Sequence, residues 1–318
     1  MRKMKRYVIL FLLLLTSFSF YQGLSWFFPL EVSHLSTRFE LWRNHVEEIQ
    51  KDGFHGYVKN GCQKTGIITT PECTCVAFIH GLGDDALTWK KILLFPENEW
   101  KKLGLNHSLR LFAMDLPGAG RTPPATDLSQ YRVRKQAEAL NGLLGSSCSE
   151  WVVVGNSLGG WIAIWLALDW PQRVSRLVVL DSAGLKNVKS QLPTGLSQPT
   201  VDSLKEFQRK AYYRPRPIPE RVWSAIVARA QGNQAVKVME SQVEEDELDL
   251  RLASLRRPIL LLWGKEDRVI PISIGYQMRS LIPAAVWREV SECGHLPQKE
   301  CPVPVIRAII EMIQFGAV

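Results

Sequence analysis

The chain predicts an α/β fold, a mostly parallel sheet covered by helices on both faces, with a helical lid inserted late in the chain. Three observations carry that expectation. Short β-branched runs alternate with segments of helical periodicity over residues 54–180 and again over 258–315. Residues 150–168 pass from Val152-Val153-Val154 through Gly155-Asn156-Ser157-Leu158-Gly159 into an apolar, helix-spaced segment, which reads as strand, sharp turn and helix. Over residues 185–257 the alternation stops: prolines at 193, 199, 215, 217 and 219 punctuate the stretch, and no clear strand appears. The expected division is therefore an N-terminal leader over 1–30, a first core segment over 31–184, a lid over 185–257 and a second core segment over 258–318.

In chain order, Arg2, Lys3, Lys5 and Arg6 precede an uncharged stretch over residues 7–30, the composition of an export signal or a membrane anchor. Ser17-Phe18-Ser19 fits cleavage, whereas Trp26, Phe27 and Phe28 fit a membrane interface. Either reading exports the rest of the chain, as a secreted, periplasmic or membrane-anchored protein. Leu35, Phe39, Trp42, Val46 and Ile49 recur at intervals of three and four, which predicts one amphipathic helix over 33–51 that packs on the fold or lies at a membrane surface. Strands are expected over 54–58, 74–79 and 111–114, then a helix over 128–144 leading to the elbow strand, and a further strand over 176–180. Within the lid, Trp223, Ile226, Val227 and Ala230 share one helical face after Pro219 and either roof a pocket or pack the lid onto the sheet. Lys186, Lys189, Lys205, Arg209, Lys210, Arg214, Arg216 and Arg221 outnumber Asp202, Glu206 and Glu220 there, a face for solvent or for anionic headgroups. Residues 244–247 read as a solvated acidic helix face. Strands over 258–263 and 285–290, with a helix between them, and a closing helix over 302–315 complete the second core segment.

The net charge of +8 invites a nucleic-acid partner, but four of the basic residues sit in the first six positions. There is no zinc-finger spacing, stacked-aromatic motif or sustained basic helix, so nucleic acid is not an expected partner. Neither a phosphate loop, nor a dinucleotide fingerprint, nor a metal-ligand cluster is present, and no cofactor or metal is implied.

The elbow motif, together with His80-Gly81-Leu82-Gly83, Asp115-Leu116-Pro117-Gly118-Ala119-Gly120, Gly264-Lys265-Glu266-Asp267 and Cys293-Gly294-His295, resembles the α/β-hydrolase family from about residue 54 to the C-terminus. The match is most like lidded serine esterases and lipases of the monoacylglycerol-lipase-like branch, and the same motifs occur in C–C bond hydrolases of ring-cleavage products. A serine at the elbow argues against haloalkane dehalogenases and epoxide hydrolases, whose nucleophile is an aspartate.

A serine hydroxyl needs a base to take its proton and a carboxylate to orient that base. Ser157, Asp267 and His295 supply these in the order that the resemblance implies, each just beyond an expected strand. Two other carboxylates compete for the acid role: Glu266, one position early in the motif, and Asp181, after the preceding strand. The resemblance further implies an oxyanion hole from the backbone N–H groups of Leu82 and Leu158, with His80 structural. The expected activity is hydrolysis of a small-molecule ester or lipid through an acyl-enzyme; a catalytically silent, membrane-tethered binding protein on the same fold is the alternative from another class.

Six cysteines (62, 73, 75, 148, 293 and 301) follow an export-like leader, so at least one disulfide is expected. Cys293 with Cys301 would close a short loop around His295. Cys62 has Cys73 or Cys75 as partner, and Cys148 competes if the strands starting near Cys75 and Trp151 are neighbours.

Overall fold

The computed structural model describes residues 29–62, 73–145, 148–186, 188 and 196–314. All but the last two positions of the expected leader, and Lys189, lie outside these residues. Helix α1 (Pro29–Arg43) is followed by strand β1 (Val46–Lys51), which turns back into β2 (Phe54–Asn60). This corrects the single helix expected over 33–51. Helix α1 stops because His45 takes a positive φ of 57°, and Val46 and Ile49 lie on a strand paired antiparallel with β2. The β1–β2 turn is Asp52-Gly53, both at positive φ, the backbone that two-residue hairpins favour.

Strand β3 (Cys73–Ile79) is followed by two short helices, α2 (Lys90–Leu93) and α3 (Glu97–Lys102), and by β4 (Ser108–Met114). The helix expected over 128–144 is a 3-10 turn at Leu128–Tyr131 and a separate helix α4 (Val133–Leu144), divided at Arg132, whose ψ of 138° is extended. Then come β5 (Trp151–Asn156), α5 (Leu158–Asp169) and β6 (Val174–Leu180). Three helices, α6 (Val201–Ala211), α7 (Glu220–Gln231) and α8 (Ala235–Ser241), occupy the stretch before β7 (Ile259–Gly264). Helix α9 (Ile272–Leu281), β8 (Val286–Val290), the short α10 (Pro297–Glu300) and α11 (Pro302–Gln314) close the described chain.

The eight described strands form one sheet in the order β1-β2-β4-β3-β5-β6-β7-β8, antiparallel at the β1–β2–β4 edge and parallel from β4 onward. Every residue of β5 and β7 is buried, as strands covered on both faces require. Val152 and Val154 pack with Phe78, Leu260 and Ile309 on one face, and Trp151 and Val153 pack with Ile162, Trp165 and Leu177 on the other. Because β3 lies between β4 and β5, the strand order reverses there, and the carboxyl ends of the flanking strands open a crevice.

The acidic stretch at 244–247 is the expected solvated face only in part: Glu244 and Glu245 are exposed, but the segment is a short turn and not a helix face. Asp246 is fully buried in a 3-10 turn (Glu244–Asp246). Its carboxylate takes two hydrogen bonds from Arg132, at 3.0 and 2.9 Å, and its carbonyl accepts both Trp161 Nε1–H (2.7 Å) and Trp165 Nε1–H (2.6 Å). The lid is thus pinned to the helix that follows Ser157. Its charge is affordable in the interior because the Arg132 fork matches the carboxylate geometry.

Candidate active site

Ser157 stands between β5 and α5 with φ 56° and ψ −118°, a conformation that non-glycine residues rarely hold and that costs roughly 1–3 kcal/mol. Several bonds maintain it. Its N–H donates to Leu180 O (2.9 Å), and its carbonyl accepts from the N–H groups of Gly160, Trp161 and Ala183. The glycines of the motif are needed for close approach: a Cβ on Gly155 would collide with the Gly159 carbonyl, and one on Gly159 with the carbonyls of Ile79 and His80.

That second contact seats the loop after β3 against the start of α5, and Gly81 lies against Ser157 Cβ. The loop is held by His80, whose Nε2 accepts Leu116 N–H (2.9 Å) while Nδ1 bonds Gly81 O (2.8 Å), so the ring is a structural brace. Asp115, from the turn after β4, takes the N–H groups of Ala86 and Arg121 and bonds His55 Nδ1 (2.6 Å). Although burial opposes its charge, these bonds hold the Asp115 carboxyl below the ordinary range. Among the described residues neither Leu82 N–H nor Leu158 N–H has a hydrogen-bond acceptor. Leu158 is also the first residue of α5, where the helix dipole favours negative charge.

His295 follows β8 and is buried. Its Nδ1 bonds Asp267 Oδ2 at 2.7 Å, which leaves Nε2 as the ring's other functional atom. Asp267 Oδ1 accepts the N–H groups of Val269 (2.7 Å) and Ile270 (2.9 Å), so both carboxylate oxygens are engaged. The His295 carbonyl accepts Asn156 Nδ2–H (3.0 Å), and Gln298 Nε2 donates to Asn156 Oδ1 (3.0 Å), tying the histidine loop to the residue before Ser157. No hydrogen bond joins Ser157 Oγ to His295 Nε2; such contacts often tighten only in the Michaelis complex.

The two competing carboxylates lie elsewhere in this network. Glu266 accepts the N–H of Cys293 (2.9 Å). Asp181 is fully buried behind Asp267, with Oδ1 accepting Gly264 N–H (2.8 Å) and Oδ2 lacking any conventional donor. Burial first, and then the charge of Asp267 beside it, push the Asp181 carboxyl well above the usual carboxylate range. In its protonated form Asp181 would donate a hydrogen bond to Asp267. Atoms of Asp181, Asp267 and His295 lie within 4.8 Å of one another, close enough for a metal by distance alone. Among the described residues the other close group, Cys293, Glu300 and Cys301, has both its cysteine sulfurs in a disulfide.

The lid touches the site at two places. Arg229 of α7 forms an ion pair with Asp85, next to which Lys299 of α10, outside the lid, pairs with Asp84 at 2.7 Å. His295 N–H donates to Ala211 O (2.8 Å) at the end of α6. Glu300 receives the N–H groups of Tyr213, Arg214 and Gly294, joining the lid to the histidine loop. Trp223 is buried, and Ile226 and Val227 are half-buried. Ile226 lies one turn before Arg229, on the same side of α7. The roles of Gln298, Glu300 and the Asp85–Arg229 pair, and of the Asn156 side chain within the elbow motif, are set by tertiary contacts and have no signal of their own in the sequence.

All six cysteines are paired: Cys62–Cys73, Cys75–Cys148 and Cys293–Cys301. β3 and β5 are neighbours, so Cys148 takes Cys75 and leaves Cys62 to Cys73.

The profile of a family described as "Alpha/beta hydrolase family" matches residues 76–308. A Pseudomonas putida protein named 2-hydroxy-6-oxononadienedioate/2-hydroxy-6-oxononatrienedioate hydrolase 2 is 28% identical over 255 residues, spanning 75% of this chain and 87% of that one. Among solved structures, a membrane phospholipase A described as a bacterial virulence factor superposes with a TM-score of 0.70 at 23% identity, over 98% of this chain and 99% of its own. The 2-hydroxy-6-oxo-6-phenylhexa-2,4-dienoate hydrolase of Rhodococcus does so with a TM-score of 0.64 at 20% identity, over 84% and 98%.

Proposed function

We propose, from the premise that this chain belongs to the alpha/beta hydrolase family, that it is a serine hydrolase cleaving carboxylic esters of medium acyl length through Ser157, His295 and Asp267. The observation that carries the reading is the strained Ser157 set against two acceptor-free backbone N–H groups and beside a bonded Asp267–His295 pair. Ser157 Oγ attacks the ester carbonyl as His295 Nε2 takes its proton, and Asp267 stabilises the resulting imidazolium. Leu82 and Leu158 N–H groups hold the oxyanion. The alcohol leaves with the proton from His295, and water then attacks the acyl-serine by the same route. Trp223, Ile226 and Val227 roof the acyl pocket, so each added methylene favours binding by up to about 0.8 kcal/mol until the pocket is full. The pairing of all six cysteines supports an exported protein in an oxidising compartment.

A second reading, hydrolysis of a C–C bond in a ring-cleavage product, is favoured by the name of the Pseudomonas putida relative. That name denotes a dicarboxylate. Here Arg229 and Lys299, which reach the loop after β3, are already engaged by Asp85 and Asp84, and a dianion would have to displace those carboxylates. This supports the neutral ester. The test is phosphonate labelling of wild type and Ser157→Ala, followed by an ester series from acetyl to dodecanoyl and a dienedioate ring-cleavage product. Labelling that needs Ser157 and a rate maximum at intermediate acyl length, flattened in Trp223→Ala, are the expected results. Turnover of the dienedioate alone would transfer the assignment to C–C hydrolysis, and activity retained in Ser157→Ala would remove the serine mechanism.

A further inference from the structure

Helix α1 packs on the protein but leaves an apolar stripe uncovered by the described residues. Leu35, Phe39 and Trp42 are 65%, 58% and 72% exposed. At 100° per residue they fall within one narrow stripe. The opposite side, around Thr37 and Leu41, faces the protein, and Arg38 and Glu40 stand at its two edges. Arg38 pairs with Glu48 of β1 at 3.0 Å, and Glu40 pairs with Lys90 at 2.5 Å. Lys90 also donates to Thr37 Oγ1 (3.3 Å), and among the described side chains of the helix Leu41 is the apolar one buried on that side. These bonds to two separate elements set the rotation of the helix. The apolar stripe is therefore held outward, and Phe39 and Trp42 rest together with ring centroids 5.8 Å apart.

What covers this stripe is indicated by the chain that leads into it. Residues 7–30 contain no charged side chain, and four of residues 2–6 are basic. An uncharged stretch of this length is long enough to insert in a bilayer, and it ends where α1 begins. We propose that the Leu35–Phe39–Trp42 face of α1 lies on a lipid bilayer, its aromatic rings at the headgroup level and the Thr37 and Leu41 side turned to the protein. Helix α1 also touches α7, so the lid lies beside this membrane-facing helix. The inference stands whichever bond the enzyme cuts.

The disulfides make the test clean. Because every native cysteine is paired, a single introduced cysteine is the only thiol available to a probe. Full-length Leu35→Cys, Phe39→Cys and Trp42→Cys, with Ser280→Cys and Leu250→Cys as exposed controls, are labelled with an environment-sensitive fluorophore and reconstituted in phosphatidylcholine/phosphatidylglycerol vesicles. The emission at 35, 39 and 42 should shift to the blue, and lipids carrying a shallow spin label should quench it severalfold more than at 280 or 250. Equal, water-like emission at all five positions would mean a catalytic domain held clear of the bilayer and would overturn the proposal. A blue shift without lipid quenching would assign the face to a protein surface, whether a second copy or the leader itself, and would overturn it equally.

Discussion

Replacing Asp267 by asparagine tests the site through a single oxygen-to-nitrogen change. In the native site Oδ1 accepts two backbone N–H groups, from Val269 and Ile270, and Oδ2 accepts His295 Nδ1–H. An asparagine must present its amide oxygen to one side and its NH2 to the other. Turning the NH2 toward Val269 and Ile270 would oppose donors to donors and lose two buried hydrogen bonds, each worth about 1 kcal/mol net and more when left unmade. The amide oxygen therefore stays with the backbone, and the NH2 faces His295. The imidazole must then accept at Nδ1 and carry its proton on Nε2, the tautomer that cannot take a proton from Ser157. With the orienting charge gone as well, kcat should fall by about 10⁴, equivalent to about 5 kcal/mol of transition-state stabilisation. The assay is steady-state hydrolysis of a medium-chain nitrophenyl ester, with the phosphonate labelling rate as a second readout and a thermal melt to confirm folding. A folded Asp267→Asn enzyme within tenfold of wild type would refute the assignment of the acid, and a larger loss in Asp181→Asn would transfer it.

Asp181→Asn, in contrast, keeps an acceptor for Gly264 N–H and a donor toward Asp267, and should retain activity within about tenfold. Because burial raises the native Asp181 carboxyl above its unfolded value of 3.8, wild type loses stability as pH climbs above that value. The melting temperature of Asp181→Asn relative to wild type should rise over the same range, and a constant offset would contradict a neutral Asp181. His55 has the corresponding behaviour for a base: burial opposes its charge, but bonds to Asp115 and Glu48 outweigh that and raise its pKa above 6.5. Its stabilising contribution is full below that value and is lost as pH rises through the higher folded pKa, so thermal melts from pH 6 to 9 should fall more steeply for wild type than for His55→Gln. Loop-closure entropy predicts that removing Cys75–Cys148, which spans 73 residues, costs about 4 kcal/mol, against about 2.5 kcal/mol for Cys293–Cys301, which spans 8. Denaturant melts of the two double alanine variants compare them, and the opposite ranking would place the effect in native packing.

The parallel core and the elbow were legible in the sequence because both are written in local terms. A β-branched run, a turn that admits only glycine at its close approaches and a helix-spaced segment lie within twenty residues, and the neighbouring strands end on short motifs of their own. The hairpin at the sheet edge was equally local, and its Asp52-Gly53 turn is a strong signal. It was masked because Val46 and Ile49 continue the spacing of Leu35, Phe39 and Trp42, so one period ran through two elements. Tertiary structure decided the rest. Whether Asp246 is solvated depends on Arg132, Trp161 and Trp165, more than eighty residues away in sequence. Whether Asp181 or Asp267 meets His295 depends on how far each loop extends beyond its strand, and which cysteine Cys148 takes depends on the adjacency of β3 and β5. The outward stripe of α1 is the clearest case. Its periodicity names an apolar face, but only the ion pairs of Arg38 and Glu40 with β1 and α2 turn that face away from the protein, because a helix's pattern gives its stripe and its neighbours give its rotation.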